Sequence, residues 1–188
     1  MPSKCYSRGS KSRELEVITM THEEYELAAS FWTNKDKTDT KMGREELKAW
    51  IDDFLSTHKV LALATGGEDT IRATPLEYGW HEDALWIFSE GGLKFRGLEK
   101  TSMVAATVFD QDPGFGGLKS VQIMGEASVV EPFSPEYIHA AECKKIPLDV
   151  LKKLDHTMYL IKIRPREITC LCSEFKKKGV GSRQIWRG

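Results

Sequence analysis

The 188-residue sequence has no apolar run approaching a membrane span and no apolar signal core in its opening "MPSKCYSRGSKSRELE". It has no P-loop and no G-x-S-x-G. The stretch "GFGGLK" (Gly114 to Lys119) has glycines, but they fall between two strand-like stretches rather than between a strand and a helix. That excludes the usual dinucleotide fold and its hydride chemistry. Net charge is −1, so there is no global attraction to nucleic acid or a membrane surface. Cysteines number only four, Cys5, Cys143, Cys170 and Cys172. A cytoplasmic location is the expectation, with these thiols mostly reduced.

What is present reads as one core with additions. Residues 1 to about 18 are polar and uneven, an expected loose arm. "THEEYELAASFW" pairs Thr21 with Glu24 as a capping box and carries Tyr25, Ala28 and Trp32 on one stripe. "NKDKTDTKMG" is an expected linker. "REELKAWIDDFLSTH" predicts a second amphipathic helix, with Leu47, Trp50, Ile51 and Phe54 on one face.

From Lys59 the period changes to that of strands. "KVLALAT", stopped at Gly66-Gly67, "IRATPLEYGW", "ALWIFS", "SMVAATVFD" and "KSVQIMGEASVVE" predict five strands. "SPEYIHAAECKK" opens with Ser134 as N-cap and Pro135 at the first helical position. "PLDVLKKL" is a short helix, and "MYLIKIRPREITCLC" returns to strand. Closely spaced strands with peripheral helices predict a small, mainly β, antiparallel barrel. The expected organisation is an arm and helix packing on the barrel over 1–44, a barrel domain over 45–172, and a basic C-terminal tail over 173–188. From Lys162 to Gly188 there are eight Lys or Arg against two Glu.

Three features carry possible chemistry. In "IFSEGGLKFRGLEK" (87–100) a strand ends at Ser89-Glu90, turns on Gly91-Gly92 and places Lys94 as the next helix begins. Two glycines allow positive φ, and a helix start carries unpaired N–H groups and partial positive charge. A lysine there opposes the dipole, a cost that makes sense if an anion such as phosphate sits beside it. In "IRATPLEYGW", Pro75 cannot donate to a ladder, so its strand is an edge or is bulged, with Arg72 on the same strand. Finally, His139 and Cys143 share a helix face and Cys170 and Cys172 share a strand face. Together they are a conceivable four-ligand zinc set.

The order "FLSTHKVLALAT", "IRATPLEY", "ALWIFSEGGLKFRGLEK", "VAATVF" and "VQIMGEASVVEP" resembles the pyridoxamine 5′-phosphate oxidase-like, FMN-binding split-barrel family, over about residues 45 to 170. The flanking segments look like those of an uncharacterised flavoprotein subgroup. The resemblance implies a Greek-key split β-barrel and a homodimer with one FMN in each of two interface clefts. It implies that Lys94 holds the FMN phosphate, helped by Arg72 and Ser89. Residues Ala73, Thr74, Pro75 and Leu76 would run along the isoalloxazine ring, with Phe88 and Leu93 beside the phosphate turn. Gln122 would be a lesser contact. The tail is expected to close over the cleft through Arg183, Gln184 and Trp186. The oxidases proper carry R-x-V-L-L-K where this chain has "RATPLE", with Glu77 at the second phosphate-binding lysine. They also have an Arg-Lys pair where this chain has Leu93-Lys94. The expectation is therefore an FMN-dependent oxidoreductase of unknown small-molecule substrate, rather than a vitamin B6 oxidase, with no side chain singled out as catalytic. The rivals are a non-catalytic flavin or haem module using His139 or His156, a deazaflavin (F420) reductase, and a zinc-stabilised interaction domain using His139, Cys143, Cys170 and Cys172.

Overall fold

The computed structural model describes residues 20–67, 70–111, 114 and 116–188, so the expected N-terminal arm, with Cys5, lies outside the described residues. The chain divides into two compact units, residues 1–37 and 38–188. In the first, helix α1 (His22–Thr38) starts with the expected capping box. The Thr21 N–H donates to Glu24 Oε2 at 2.7 Å and the Glu24 N–H donates to Thr21 Oγ1 at 3.2 Å. The helix continues to Thr38, into half of the segment expected as a linker. Lys35 and Lys37 in its last turn suit the helix dipole there.

The second unit begins with α2 (Arg44–Thr57), which buries Leu47, Ile51, Phe54 and Leu55. Strands β1 (Val60–Gly67) and β2 (Thr70–Glu77) form a hairpin, so β1 runs through the two glycines expected to stop it. The stretch expected as one strand, residues 71–80, breaks at Tyr78 and resumes as β3 (Gly79–His81). The break has a tertiary cause. The Tyr78 N–H donates to the Lys59 carbonyl at 3.0 Å, and its hydroxyl reaches the Leu55 carbonyl at 2.8 Å. The ring is thereby drawn under the end of α2. Glu82 and Asp83, at φ 52° and 55°, turn the chain into β4 (Ala84–Ser89); two positive φ values match the twist of a tight hairpin.

Helix α3 (Lys94–Lys100), strands β5 (Met103–Phe109) and β6 (Lys119–Val130), helices α4 (Pro135–Cys143) and α5 (Leu148–Lys152), and β7 (Tyr159–Cys172) follow. Ser134 caps α4 as expected, accepting from the Tyr137 N–H at 3.3 Å. The segment expected as a basic tail is folded. A 3₁₀ turn (Ser173–Lys178) leads into β8 (Arg183–Arg187), which pairs with β7.

All eight strands belong to one antiparallel sheet in the order β2-β1-β5-β6-β7-β4-β3, with β8 also on β7. Strand β2 is thus an edge, as Pro75 requires. A register shift at Met124/Gly125 puts a bulge into the β6–β7 ladder, and bulges sharpen twist. The sheet curls into a half-barrel over a core of α2, sheet and 3₁₀-turn residues that includes Ile51, Leu63, Ile87, Ile123, Ile163 and Phe175. A smaller core lies under α4 and α5 around Trp86, Tyr137 and Leu160. Strand β4 serves both, Leu85 and Ile87 in one and Ala84 and Trp86 in the other. This explains its unbroken apolar run "ALWIF". Among the described residues, no helix is long and apolar enough to cross a membrane.

Tyr78→Phe removes the bond that holds the β2–β3 break to α2 and leaves the Leu55 carbonyl short of a partner. It should lower stability by ~1–2 kcal/mol in urea unfolding, with the fold retained.

Candidate site: a cleft where the curled sheet meets itself

Strands β2 and β4 are far apart in sheet order, yet curling brings them to one cleft of about 390 Å³. Pro75, Leu76 and Glu77 line it from β2, and Phe88, Ser89, Glu90, Gly91 and Lys94 from the end of β4 and the start of α3. Lys144, Ile146 and Met158 complete the wall. Five residues named from sequence therefore meet here: Pro75, Leu76, Phe88, Ser89 and Lys94.

The turn is built as its glycines require. Gly91 and Gly92 sit at φ 125° and 100°. Ser89 Oγ accepts the Gly91 N–H at 3.2 Å, which fixes the turn from inside. The first helical amides are not free, however. The Phe95 and Arg96 N–H groups already donate to the Gly92 and Leu93 carbonyls at 3.1 Å each. The anion-attracting element is therefore the Lys94 side chain rather than the bare helix start.

Lys94 is only 6 % exposed. Its ammonium donates to the Gly91 carbonyl and stands 5.5 Å from the centre of the Phe95 ring. Burial pushes its pKa down, and Glu90 partly counters this. No ion pair neutralises it among the described residues, so a buried cation is left with donors to offer. Its position depends on Gly97. A Cβ there would come within 2.9 Å of Thr65 Cβ and 3.0 Å of the Gly66 nitrogen, so only glycine lets α3 lie this close to β1.

The other named residues are placed differently. Arg72 and Ala73 are exposed on β2, and Thr74 is half-buried there. Leu93 is exposed beside the turn. Gln122 is exposed on β6, between Thr107 and Thr169. Arg183, Gln184 and Trp186 lie on β8, and none of them lines the cleft. Gln184 is buried, accepting from the Met42 N–H at 2.9 Å and donating to the Gly181 carbonyl at 2.7 Å; it is committed to its own chain rather than to a lid. Trp186 lies under the Arg44 guanidinium, 5.4 Å from the ring centre.

The sequence reading missed Lys144. It reaches Glu77 at 3.3 Å, so a cation from the end of α4 stands beside that carboxylate on the cleft wall. Glu77, Phe88 and Lys144 also line a second cleft of about 440 Å³, continuous in its lining with the first and reaching Trp80, His81, Trp86 and Cys143. The four-ligand zinc set is not assembled. One nitrogen of His139 and Cys143 Sγ converge with His81, within 4.8 Å of one another. Cys170 and Cys172 belong to the main core, and burial, helped by Cys172, pushes the Cys170 thiol up to about 12. His156 pairs with Asp155 at 2.7 Å.

No protein-family model matches the sequence, and no curated protein does either. Solved structures do match. A candidate pyridoxamine 5′-phosphate oxidase from Listeria innocua superposes with TM-score 0.54 at 23% identity, covering 66% of this chain and 98% of its own. The fold is the split barrel of the pyridoxamine 5′-phosphate oxidase-like proteins. The same split barrel occurs in a FAD-binding protein of Mesorhizobium loti, at TM-score 0.55, 17% identity and 70% and 94% coverage. It occurs again in HutZ, the haem storage protein of Vibrio cholerae, at TM-score 0.53, 20% identity and 63% and 89% coverage. At these identities the likeness is one of fold.

Gly97→Ala should force α3 off β1 and shift Lys94. Overpacking of this kind costs ~1–3 kcal/mol, to be read as a lowered melting temperature.

Proposed function

We propose that the chain binds FMN in the β2–β4 cleft and acts as an FMN-dependent oxidoreductase on a small molecule. The carrying observation is Lys94, a buried ammonium with no ion-pair partner among the described residues, in the lining of a split-barrel cleft. It would hold the FMN phosphate, with Ser89 beside it and Arg72 reaching in from the outer part of β2. The cleft has the features such a group needs. Pro75, Leu76, Phe88, Ile146 and Met158 give an apolar slot for a flat ring. Edge strand β2 would offer backbone groups over Ala73 to Leu76 to the ring's polar edge, because its outer side pairs with no strand among the described residues. When bound, FMN would take up and release hydride equivalents. The protein's part is to bind, orient and keep water from the ring. No side chain of the cleft is assigned as an acid or base. A FAD-binding protein and a candidate pyridoxamine 5′-phosphate oxidase among the neighbours of the same fold support a flavin, and the haem storage protein HutZ keeps haem as the rival occupant.

The reading includes a homodimer. The outward face of β1, β5 and β6 carries Val60, Met103, Phe109 and Met124, all exposed, around the small Ala62, Ala64 and Ala105. An exposed surface of this kind, apolar residues with Gln122 and Glu126 among them, suits a second copy. Gln122 lies on the same face, where a second copy would bring it near a flavin.

Absorption spectra of the purified chain before and after adding FMN test the cofactor. Two flavin bands are expected; a Soret band or a deazaflavin spectrum would replace FMN with haem or F420. Lys94→Ala should weaken FMN binding about tenfold or more, the ~1.5–3 kcal/mol of a charged contact, by fluorescence titration. An affinity within twofold of the parent would remove Lys94 from the site. In sedimentation, the parent should run as a dimer and Met124→Glu as a monomer; a parent that is monomeric at micromolar concentration would overturn the assembly.

A further inference from the structure

We propose that His81, His139 and Cys143 form a binding site for one divalent metal ion of the zinc class, separate from the flavin phosphate site. One ring nitrogen of each histidine and Cys143 Sγ already lie within 4.8 Å of one another. Ligands around tetrahedral zinc, with bonds of about 2.0–2.3 Å, stand roughly 3.5 Å apart. Small side-chain rotations of about 1 Å would close the set. Two imidazoles and a thiolate select zinc-like ions over magnesium or calcium, which prefer oxygen.

Independent features of the surroundings point the same way. His81 Nδ1 is buried with no hydrogen-bond partner among the described residues, an unusual state for a ring nitrogen in a protein interior. A metal bound through that nitrogen would satisfy it. The His81 ring is also held in place. It stacks on Trp86 at 4.7 Å and 3° between planes, and the Trp86 indole N–H donates to the His81 carbonyl at 3.0 Å. His139 and Cys143 are four apart on α4, so both side chains leave one face, with Sγ 3.7 Å from His139 Nε2. The tight turn at Glu82-Asp83 brings the Glu82 carboxylate back to His139 Nε2 at 3.0 Å. When the metal takes Nε2 the carboxylate gives up that contact and stays beside the ion as negative charge. With the Cys143 thiolate it balances a 2+ charge.

His81 and Cys143 both line the 440 Å³ cleft, so a remaining coordination position opens toward it. Three protein ligands with an open position is the arrangement of a metal that meets a small ligand, rather than of a closed structural centre. The cleft shares Glu77, Phe88 and Lys144 with the proposed flavin cleft, and the ion would sit at its far end.

The test is titration of the metal-free full chain with Co²⁺, followed by Zn²⁺ competition. One equivalent should bind, with a thiolate-to-cobalt charge-transfer band and visible bands of tetrahedral strength, all displaced by Zn²⁺. Cys143→Ser should abolish the charge-transfer band. His139→Gln should weaken binding at least tenfold, and Glu82→Gln by roughly tenfold, the scale of losing an outer-sphere carboxylate. All three positions are exposed, so these variants should keep the parent's circular dichroism. FMN affinity, measured in parallel, should stay within twofold, which separates this site from the flavin reading. A Co²⁺ complex lacking the thiolate band, no stoichiometric binding, or Cys143→Ser binding within twofold of the parent would overturn the proposal.

Discussion

The sheet is organised around one strand with both edges paired over most of its length. Strand β7 is 14 residues long. Strand β6 covers one edge from Leu160 to Cys172. The other edge is shared, β4 taking Tyr159 to Ile163 and β8 taking Glu167 to Leu171. This division fixes where β4 ends, and hence where the Ser89 turn and Lys94 emerge. It also explains why β4 must be apolar on both faces: it is flanked by ladder, main core and the smaller core under α4 at once.

The cleft follows from this frame and from one close approach. Helix α3 can bring Lys94 to the cleft because Gly97 presents no side chain to Thr65 and Gly66. Around Lys94 the charges are asymmetric. Its own ammonium is buried and has no ion-pair partner among the described residues, whereas Lys144, at the other wall, is held by Glu77. The site therefore has one cation ready for an anion and one that must exchange a partner to serve it. That difference suits a ligand anchored at one end and read at the other.

The local features were legible in the sequence because their causes are local. The Thr21–Glu24 box, the Ser134-Pro135 cap and the Gly91-Gly92 turn before Lys94 each involve residues within three or four positions. The antiparallel barrel with helices was legible because the apolar period changes at Lys59 and stays changed. The rest depends on distant partners. The break at Tyr78 is set by the Leu55 carbonyl. The fold of the last residues depends on Gln184 meeting Met42, 142 positions away. A basic stretch with little apolar alternation reads as a tail until that partner is known. His81 and Lys144 were missed for the same reason, since their neighbours come from other elements. The helix amides at Lys94 misled differently: a tight first turn satisfied donors that an ideal helix start leaves open.

The pairing of β8 with β7 has a consequence for solubility. Without β8, Glu167 to Leu171 would present an unpaired ladder edge next to the buried Ile168 and Cys170. An open edge of that kind is a template for strands of other chains. The basic charge of the last segment, with Arg183 and Arg187 at its ends, puts cations along the new outer edge and discourages further strand addition. Residues 183–187 thus act as a cover strip over this stretch of β7.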